Sequence, residues 1–382
     1  MSNFSKFTVF NLLIIGILLG CKQKPVSYSN VKNQGTKAIK MDTLALDTLK
    51  LQSFNSSFIG QTAVQQNHIY FIDAKFGFVY KFDVNGKLLH RYLGQGIAKN
   101  ELPMKSVMLF TFLPNGNSIF IGTGYDCYLF DPEFNRVTDF KINWHSTKTQ
   151  EQLINNPDLE DNGMFSLLYN GRIHATDQTL YFPVASQHPK LNPTLANYAE
   201  DVKIIGQMDL TNGYVDKIYG KLPPIYKKNI QTLAFGYAYI DAFEGKNTLT
   251  AFPVDSLMYV VDDEFTISKS FGFQGRNMNL HYKNQTDPRK FRENYSEQVK
   301  NAGHYTFIKH FAPQGYTFRG YHKSGTATSD GLQIYQKQIL IADVDVPLGF
   351  RVEGYIAPFF YSNAKLDIKN NDAKIFKFKL EK

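Results

Sequence analysis

The sequence predicts an all-β fold: a six-bladed β-propeller of four-stranded antiparallel blades, closed by an N-terminal strand that completes the last blade. One observation is a repeated phrase in which a strand ends in Asp, turns, and continues as a second strand. Another is that 10 or 11 residues separate this Asp from a closing Gly wherever the Gly is kept. The third is that the last strands, near residues 373–380, lack an outer partner. The phrase occurs at residues 79–94, 127–142, 205–220, 259–272 and 340–354.

The Asp of each phrase has a structural purpose. Its carboxylate can accept backbone N–H bonds from the following turn, and a nearby Gly or Asn tolerates the left-handed backbone that a tight hairpin needs. Such residues follow in several copies, as in Asn85-Gly86, Asn135 and Asn212-Gly213. We therefore expect these aspartates to be turn formers rather than acids or metal ligands.

Two further short strands precede each phrase, so the repeating unit is a blade of four strands. Apolar runs occur at residues 107–113, 235–243 and 305–311, and turn sequences such as residues 114–117 and 245–247 separate them from the next strand. Such units bury their faces only against neighbouring units, which is the situation in a propeller.

The two ends of the chain supply the sixth blade. Residues 373–380 form the third strand of an incomplete blade, and residues 38–46 are strand-like but belong to no blade of their own. Pairing the two segments would close the ring and cover a sheet edge that would otherwise stay exposed.

The first residues have the pattern of an export signal. Lys6 precedes an apolar run at residues 7–19, which is short for a membrane span but typical of a signal peptide. Cys21 follows Leu-Leu-Gly, which predicts lipidation of this Cys after cleavage. We expect residues 1–20 to be a lipoprotein signal peptide, residues 21–37 a flexible tether, and residues 38–382 a single propeller domain.

Composition limits the partners. The net charge of +8 is spread along the chain, and export makes nucleic acid an improbable ligand, so an envelope protein or an anionic glycan is the expected partner. Of two cysteines, only Cys127 remains after lipidation, so no internal disulfide is expected and Cys127 should be a small buried side chain. We expect a monomer without cofactor or metal.

The residues also carry a resemblance. Residues 67–96, with Ile-Tyr-Phe-Ile-Asp, Tyr-Lys-Phe-Asp-Val-Asn-Gly-Lys and a closing Gly-Gln-Gly, resemble a blade of the TolB-like and NHL-like six-bladed propellers. Together with the Cys21 context, the chain resembles the uncharacterised propeller lipoproteins of Bacteroidota. The resemblance covers residues 38–382 and implies the fold. It brings no catalytic residues.

Long insertions with helix signals are expected to roof one mouth of the central channel. Helices are predicted at residues 147–155 after Ser146, at 194–200 after Asn192-Pro193, and at 289–302 after Asp287-Pro288. The last insertion is rich in basic residues that could attract an anion, although a solvated helix face is an equally plain explanation. The candidate ligand-binding residues are Arg276, Lys283, Arg289, Lys290, Arg292 and His304.

Catalytic signatures are absent from the sequence, so the leading hypothesis is a non-enzymatic binding protein. It would be anchored through Cys21 at the outer membrane, facing the periplasm, and would hold a protein or glycan at the roofed face. The alternative is a propeller-type glycan hydrolase or lyase with channel-mouth carboxylates such as Asp73, Glu101 or Asp241. A metal pair formed by His304 and His310 is a further alternative that lacks a third ligand.

Overall fold

Six antiparallel sheets form the blades of a closed six-bladed propeller. The computed structural model describes Tyr28 and residues 31–156, 158, 161–169, 172–192, 195, 197–228, 235–282, 290–367 and 372–380, without the side chains of residues 291, 292 and 294. The innermost strands of neighbouring blades contact each other around the ring, and the sixth blade contacts the first. We number the blades 1 to 6 in chain order.

Two short strands precede the blades, β1 (Thr36–Met41) and β2 (Asp47–Lys50). The strands of blades 1 to 3 are β3 (Gly60–Gln65), β4 (His68–Asp73), β5 (Phe78–Phe82), β6 (Leu88–Leu93), β7 (Val107–Phe112), β8 (Ser118–Gly122), β9 (Asp126–Phe130), β10 (Arg136–Lys141), β11 (Phe165–Leu167), β12 (His174–Ala175), β13 (Thr179–Ser186), β14 (Ile205–Asp209) and β15 (Val215–Tyr219). Those of blades 4 to 6 are β16 (Tyr239–Ala242), β17 (Thr248–Ala251), β18 (Met258–Val261), β19 (Ile267–Phe271), β20 (His304–Phe311), β21 (Tyr316–His322), β22 (Asp330–Gln336), β23 (Ile339–Val346), β24 (Val352–Ile356), β25 (Phe359–Ser362), β26 (Lys365–Asp367) and β27 (Asp372–Phe378).

An N-terminal strand completes the last blade, as predicted, but it is not the predicted segment. Strand β2 pairs antiparallel with β27, and Leu49 lies opposite Ile375. All of residues 38–46 lies before this strand, and β1, which covers part of that segment, instead pairs in parallel with β23 as a fifth strand of blade 5. The closing strand is β2 because Leu49 and Leu51 are buried against the core of blades 1 and 6, whereas β1 is mostly exposed.

Contacts with the propeller begin before residue 38, so the predicted end of the tether is too late. The Tyr28 ring packs 4.8 Å from the ring of Tyr259 and its hydroxyl donates to the carbonyl of Lys221. The side chain of Asn33 donates to the carbonyl of Gly272. This part of the chain therefore runs along blade 4 before it reaches blade 5. Residues 1–27, including Cys21 and the predicted signal peptide, lie outside the described residues.

Four of the five repeated aspartates form turns as predicted. In each, one carboxylate oxygen accepts backbone N–H bonds from the hairpin, and the residue three or four positions after the Asp has a positive φ. That residue is Gly86, Phe134, Gly213 or Phe265, with φ of 60° to 80°. The predicted fifth copy is wrong. Asp343 lies within β23, the fourth strand of blade 5, and residues 352–354 belong to the inner strand of blade 6.

The core consists of aromatic and branched side chains packed between neighbouring blades. Cys127 is fully buried in the cluster between blades 2 and 3, and burial raises the pKa of its thiol to about 12, in keeping with the predicted structural role. Tyr239 and Tyr259 of blade 4 and Tyr335 of blade 5 join the cluster around Phe252 and Phe271.

The connections between blades lie on one side of the ring, which we call the linking face. It carries the links from the fourth strand of each blade to the innermost strand of the next, and four helices of the described residues lie in segments on this side. They are α1 (Gln150–Asn155), α2 (Tyr198–Asp201), α3 (Ile225–Lys228) and α4 (Phe291–Asn301). Two 3-10 turns occur at Asn162–Met164 and Ala312–Gln314. Within the described residues, no helix combines the length and apolar character needed to cross a membrane.

The helix predictions were right in kind and shifted in position. Helix α4 lies inside the predicted residues 289–302, and α2 begins later than the predicted start at residue 194. Helix α1 is capped by Thr149 rather than Ser146, because Thr149 and Gln152 form a reciprocal capping box. The Ser146 hydroxyl instead accepts a bond from the backbone N–H of Lys148.

Candidate functional site

A cavity of about 660 Å³ lies at the centre of the ring. All six blades contribute to its wall, chiefly through their innermost strands, and its size lies within the range typical of ligand-binding pockets. The cavity extends to Gly349, Arg351 and Asn363 at the linking face, and to Gln65 and Phe112 at the ends of two inner strands on the opposite face. It therefore occupies much of the depth of the propeller.

Blade 3 differs from the others because its innermost strand is interrupted. Strands β11 and β12 pair with different parts of β13, and six residues, 168–173, lie between the end of β11 and the start of β12. Tyr169, Arg172 and Ile173 of this interruption line the cavity. The break allows a long side chain to extend into a space that a regular inner strand would leave open.

Arg172 uses this position to reach the opposite side of the ring. A terminal nitrogen of its guanidinium lies 2.6 Å from Oε1 of Glu353, at the start of the inner strand of blade 6. Both side chains are largely buried, with exposed fractions of 25% and 10%. Burial alone would lower the pKa of Arg172, but the Glu353 carboxylate raises it. The pair is therefore a charged bridge between opposed blades.

A second ion pair joins blades 4 and 5. The Lys309 Nζ lies 3.1 Å from Oδ1 of Asp241, and the other carboxylate oxygen accepts the backbone N–H of His310 at 2.6 Å. The Asp241 side chain is 9% exposed. Its negative charge is thus compensated by a neighbouring ammonium and a backbone dipole.

Arg351 is the remaining charged residue in the cavity wall. Its backbone N–H donates to Oδ1 of Asn363 at 2.8 Å, and the Asn363 N–H donates back to the Arg351 carbonyl at 3.0 Å. Asn363 Nδ2 also donates to the carbonyl of Gly349, whose own N–H donates to Asp330. The backbone that carries Arg351 is therefore fixed. In the described part of the chain, no carboxylate lies within ion-pair distance of its guanidinium, which is exposed.

The residues predicted to form a basic site in the insertion before β20 lie in different environments. Arg276 is about half exposed and makes an ion pair with Asp345 at 2.8 Å. Lys290 is exposed at the residue before α4. Lys283 and Arg289 lie outside the described residues, as does the side chain of Arg292.

His304, which was also predicted for this site, is buried. Its ring stacks on Phe235 at 4.9 Å, and Nδ1 hydrogen-bonds to the carbonyl of Ala302 at 3.0 Å. Burial lowers the pKa of His304 to about 4. The His304 ring therefore packs the start of blade 5 against the connection that precedes blade 4.

The two histidines of β20 do not form a pair. His310 packs on Phe243 and its Nδ1 lies 2.8 Å from the Thr317 hydroxyl, at the other end of the strand from His304. Among the residues described, no group of three His, Cys, Asp or Glu side chains is arranged to hold a metal ion.

Two of the three predicted carboxylates hold loops in place. Asp73 is buried and accepts bonds from Ser56, Ser57, Lys75 and Phe76; burial alone would raise its pKa, but these bonds lower it. Glu101 caps a turn by accepting the backbone N–H of Ala98. Of these three carboxylates, Asp241 alone lines the cavity. Four other charged residues of the cavity wall were not predicted from the sequence: Arg172, Lys309, Arg351 and Glu353. In the sequence, the one of these residues that could have been recognised is Lys309, a charged residue inside a predicted apolar strand.

Comparisons with known proteins support the six-bladed propeller fold. No family model and no curated protein matches it. A solved member of the DUF4221 family from Bacteroides vulgatus is 12% identical, with a TM-score of 0.63 over 90% of this chain and 99% of that one. A provisionally named exported protein from Bacteroides fragilis is 13% identical, with a TM-score of 0.52 over 91% of this chain and 99% of that one. At these identities, the likeness shows the fold alone.

Proposed function

We propose that this protein is a non-enzymatic binding protein of the cell envelope, which holds a protein or glycan partner at the linking face. The supporting observation is the central cavity. It reaches that face, and both of its carboxylates already belong to ion pairs, Asp241 with Lys309 and Glu353 with Arg172. Such a wall is suited to holding a polar ligand, since its charges are fixed before the ligand arrives.

Lipid anchoring through Cys21 is the second part of the proposal. Its basis is the apolar run at residues 7–19 followed by Leu-Leu-Gly-Cys, with Lys22 rather than Asp next in the chain. A structurally similar protein from Bacteroides fragilis carries a name that describes it as exported. We place the protein at the outer membrane, facing the periplasm and working as a monomer.

In this proposal, the insertion between β19 and β20 supplies the cations that face the partner. Arg276 and Lys290 are accessible at the surface, and Lys283, Arg289 and Arg292 belong to the same basic stretch of sequence. Clustered cations favour a partner with negative charge and would speed its encounter with the cavity mouth.

The test is a crosslinking pull-down of the tagged full chain from its own envelope. We expect a partner that is recovered with the acylated protein and reduced when Cys21→Ala releases the protein from the membrane. The double variant Arg276→Gln/Lys290→Gln should weaken capture. A matched double variant on blade 1, Lys87→Gln/Arg91→Gln, should not. Equal capture by both double variants would remove the roof from the proposal.

A glycan hydrolase or lyase is the second candidate, and one observation favours it. Asp241 and Glu353 line the same cavity, and propeller folds can host catalysis in such a place. A screen of polysaccharides with the folded protein tests it. Cleavage that is lost in both Asp241→Asn and Glu353→Gln would support an enzyme, whereas intact substrates across the screen would argue for binding alone.

A further inference from the structure

We infer that the cavity at the linking face is a binding site for an acidic oligosaccharide, whose carboxylate is held by Arg351. This inference rests on the proposed binding function and specifies the ligand class. It depends on three features of the cavity: its charge balance, the fixed backbone around Arg351, and the strand edges that surround it.

The charge balance favours an anion. Three cationic side chains and two carboxylates line the cavity, which leaves an excess of one positive charge. Each carboxylate is engaged by its own cation, Asp241 by Lys309 and Glu353 by Arg172. Within the described residues, Arg351 is the cation of the wall without such a partner. A ligand carboxylate would complete the third pair.

The position of Arg351 is suited to capture at the entrance. Each innermost strand starts at the linking face and runs toward the opposite face of the ring. Arg351, directly before β24, therefore lies nearer the linking face than Glu353 does. The reciprocal backbone bonds with Asn363 hold its main chain, and the side chain alone remains to be ordered on binding. A planar guanidinium can meet a carboxylate with two parallel bonds. Only one nitrogen of Arg172 contacts Glu353, so further donors of Arg172 can face the same ligand.

The surrounding wall favours a sugar over an extended peptide. Edges of innermost strands reach the cavity from all around the ring, and Gln61, Thr62, Thr111 and Asn363 add polar side chains. A sugar carries hydroxyl groups in all radial directions, whereas an extended peptide presents its backbone groups along two opposite sides. Tyr169 adds an aromatic ring to the wall. Rings of this kind can pack against the apolar face of a sugar.

The experiment measures binding of two probes by titration calorimetry: trigalacturonate, which carries a carboxylate on each ring, and maltotriose, a neutral trisaccharide. We expect the wild-type chain to bind the acidic probe and to bind it more weakly at high salt. Arg351→Gln should weaken this binding roughly tenfold to a hundredfold, the effect of losing a charged hydrogen bond. Arg91→Gln, the same change on the exposed edge of blade 1, should leave it unaltered. The thermal midpoints of both variants should match the wild type.

Equal binding of the two probes, no binding of either, or full binding by Arg351→Gln would overturn the inference. The proposed function fails separately. If the envelope pull-down recovers a partner that Arg351→Gln still captures, the binding role stands and the carboxylate site does not. If the acidic probe binds in the Arg351-dependent manner but no envelope partner is recovered, the site stands and the protein-partner role does not.

Discussion

Arg319 shows how one buried cation can hold two blades together. Its side chain belongs to β21 of blade 5, is fully buried, and donates to the carbonyls of Phe252, Asp255 and Ser256. These residues belong to the connection between β17 and β18 of blade 4. The guanidinium also stacks 3.3 Å above the Tyr305 ring. It thus supplies donors to carbonyl groups that blade 4 leaves unpaired.

Replacing Arg319 with Met should strongly destabilise the protein. The change removes the donors and leaves the carbonyls buried, at about 1–3 kcal/mol for each unsatisfied group. We expect the free energy of unfolding to fall by at least ~3 kcal/mol in urea titrations. Arg91→Met, at an exposed position where the guanidinium only stacks on the Phe78 ring, serves as the control and should stay within about 1 kcal/mol of the wild type. A similarly small effect for Arg319→Met would show that the carbonyl contacts contribute little.

His304 should make the protein sensitive to acid. An unfolded chain protonates this residue near pH 6.5, whereas burial lowers its folded pKa to about 4. The unfolded state therefore binds the proton first, and stability falls as pH decreases from about 6.5 to 4. His304→Phe should remove roughly 3 kcal/mol of this loss across that interval.

His322 provides an opposite reference for the same measurement. Its hydrogen bond to Asp330 raises its pKa, so its contribution is present below the unfolded pKa and is lost as pH rises through the folded value. Unfolding free energies measured against pH should therefore change on the acid side for His304→Phe and near neutrality for His322→Gln. Parallel curves for wild type and His304→Phe would contradict the burial of a neutral His304.

Residue roles were predictable where they depend on local sequence. Asp83, Asp131, Asp209 and Asp262 act within their own hairpins, so the pattern of Asp and turn residues sufficed. Arg172 and Glu353 are 181 positions apart, and the backbone of Arg351 is held by a bond to Asn363, which lies between β25 and β26. No local pattern marks such pairs. The fifth copy of the repeat was predicted wrongly because Asp343 forms no turn. It lies inside a strand, where its carboxylate accepts hydrogen bonds from the side chains of Tyr321 and Gln333.

At the scale of elements, strands β1 and β2 have different structural roles. Strand β1 adds an exposed fifth strand to blade 5, whereas β2 covers the edge of β27 and brings Leu49 into the core. A strand that closes the ring removes an edge that could otherwise pair with another molecule.

Two truncations separate these roles. A chain starting at residue 43 lacks β1 and the Tyr28 contacts but keeps β2, and we expect a folded protein with a lowered thermal midpoint. A chain starting at residue 52 loses β2 as well, leaves β27 uncovered, and should aggregate or melt well below the first. Circular dichroism and size-exclusion chromatography report both outcomes. Equal midpoints and equally monomeric behaviour would mean that β2 does not close the ring in solution.

The elements show the same limit of prediction as the residues. Antiparallel hairpins such as β5–β6 are joined by short turns, and their Asp, Asn and Gly residues identify them. Pairing between β2 and β27 spans most of the chain, so sequence predicted the existence of a closing strand but placed it too early. The parallel pairing of β1 has no turn to reveal it.

For the whole molecule, the Arg172–Glu353 bridge links blades that have no sheet in common. Blades 3 and 6 face each other across the ring, so the ion pair spans the cavity rather than a blade interface. Removing one charge leaves its partner largely buried without compensation, which costs more than replacing both.

A double-mutant cycle should reveal this coupling. Glu353→Gln alone should lower the free energy of unfolding by about 1–3 kcal/mol, and Arg172→Met alone by a similar amount. The double variant should lose less than the sum, because neither charge then remains unpaired. Strictly additive losses in urea unfolding would show that the two groups do not interact in solution.

Ring closure also sets an order of events during synthesis. Residues 47–50 leave the ribosome long before residues 374–377, with which they pair. The first of these strands stays unpaired until residues 374–377 are available. Contacts between such distant segments are slow to form. Until residues 374–377 pair with β2, the folding chain would therefore be an open row of blades with an uncovered edge at each end.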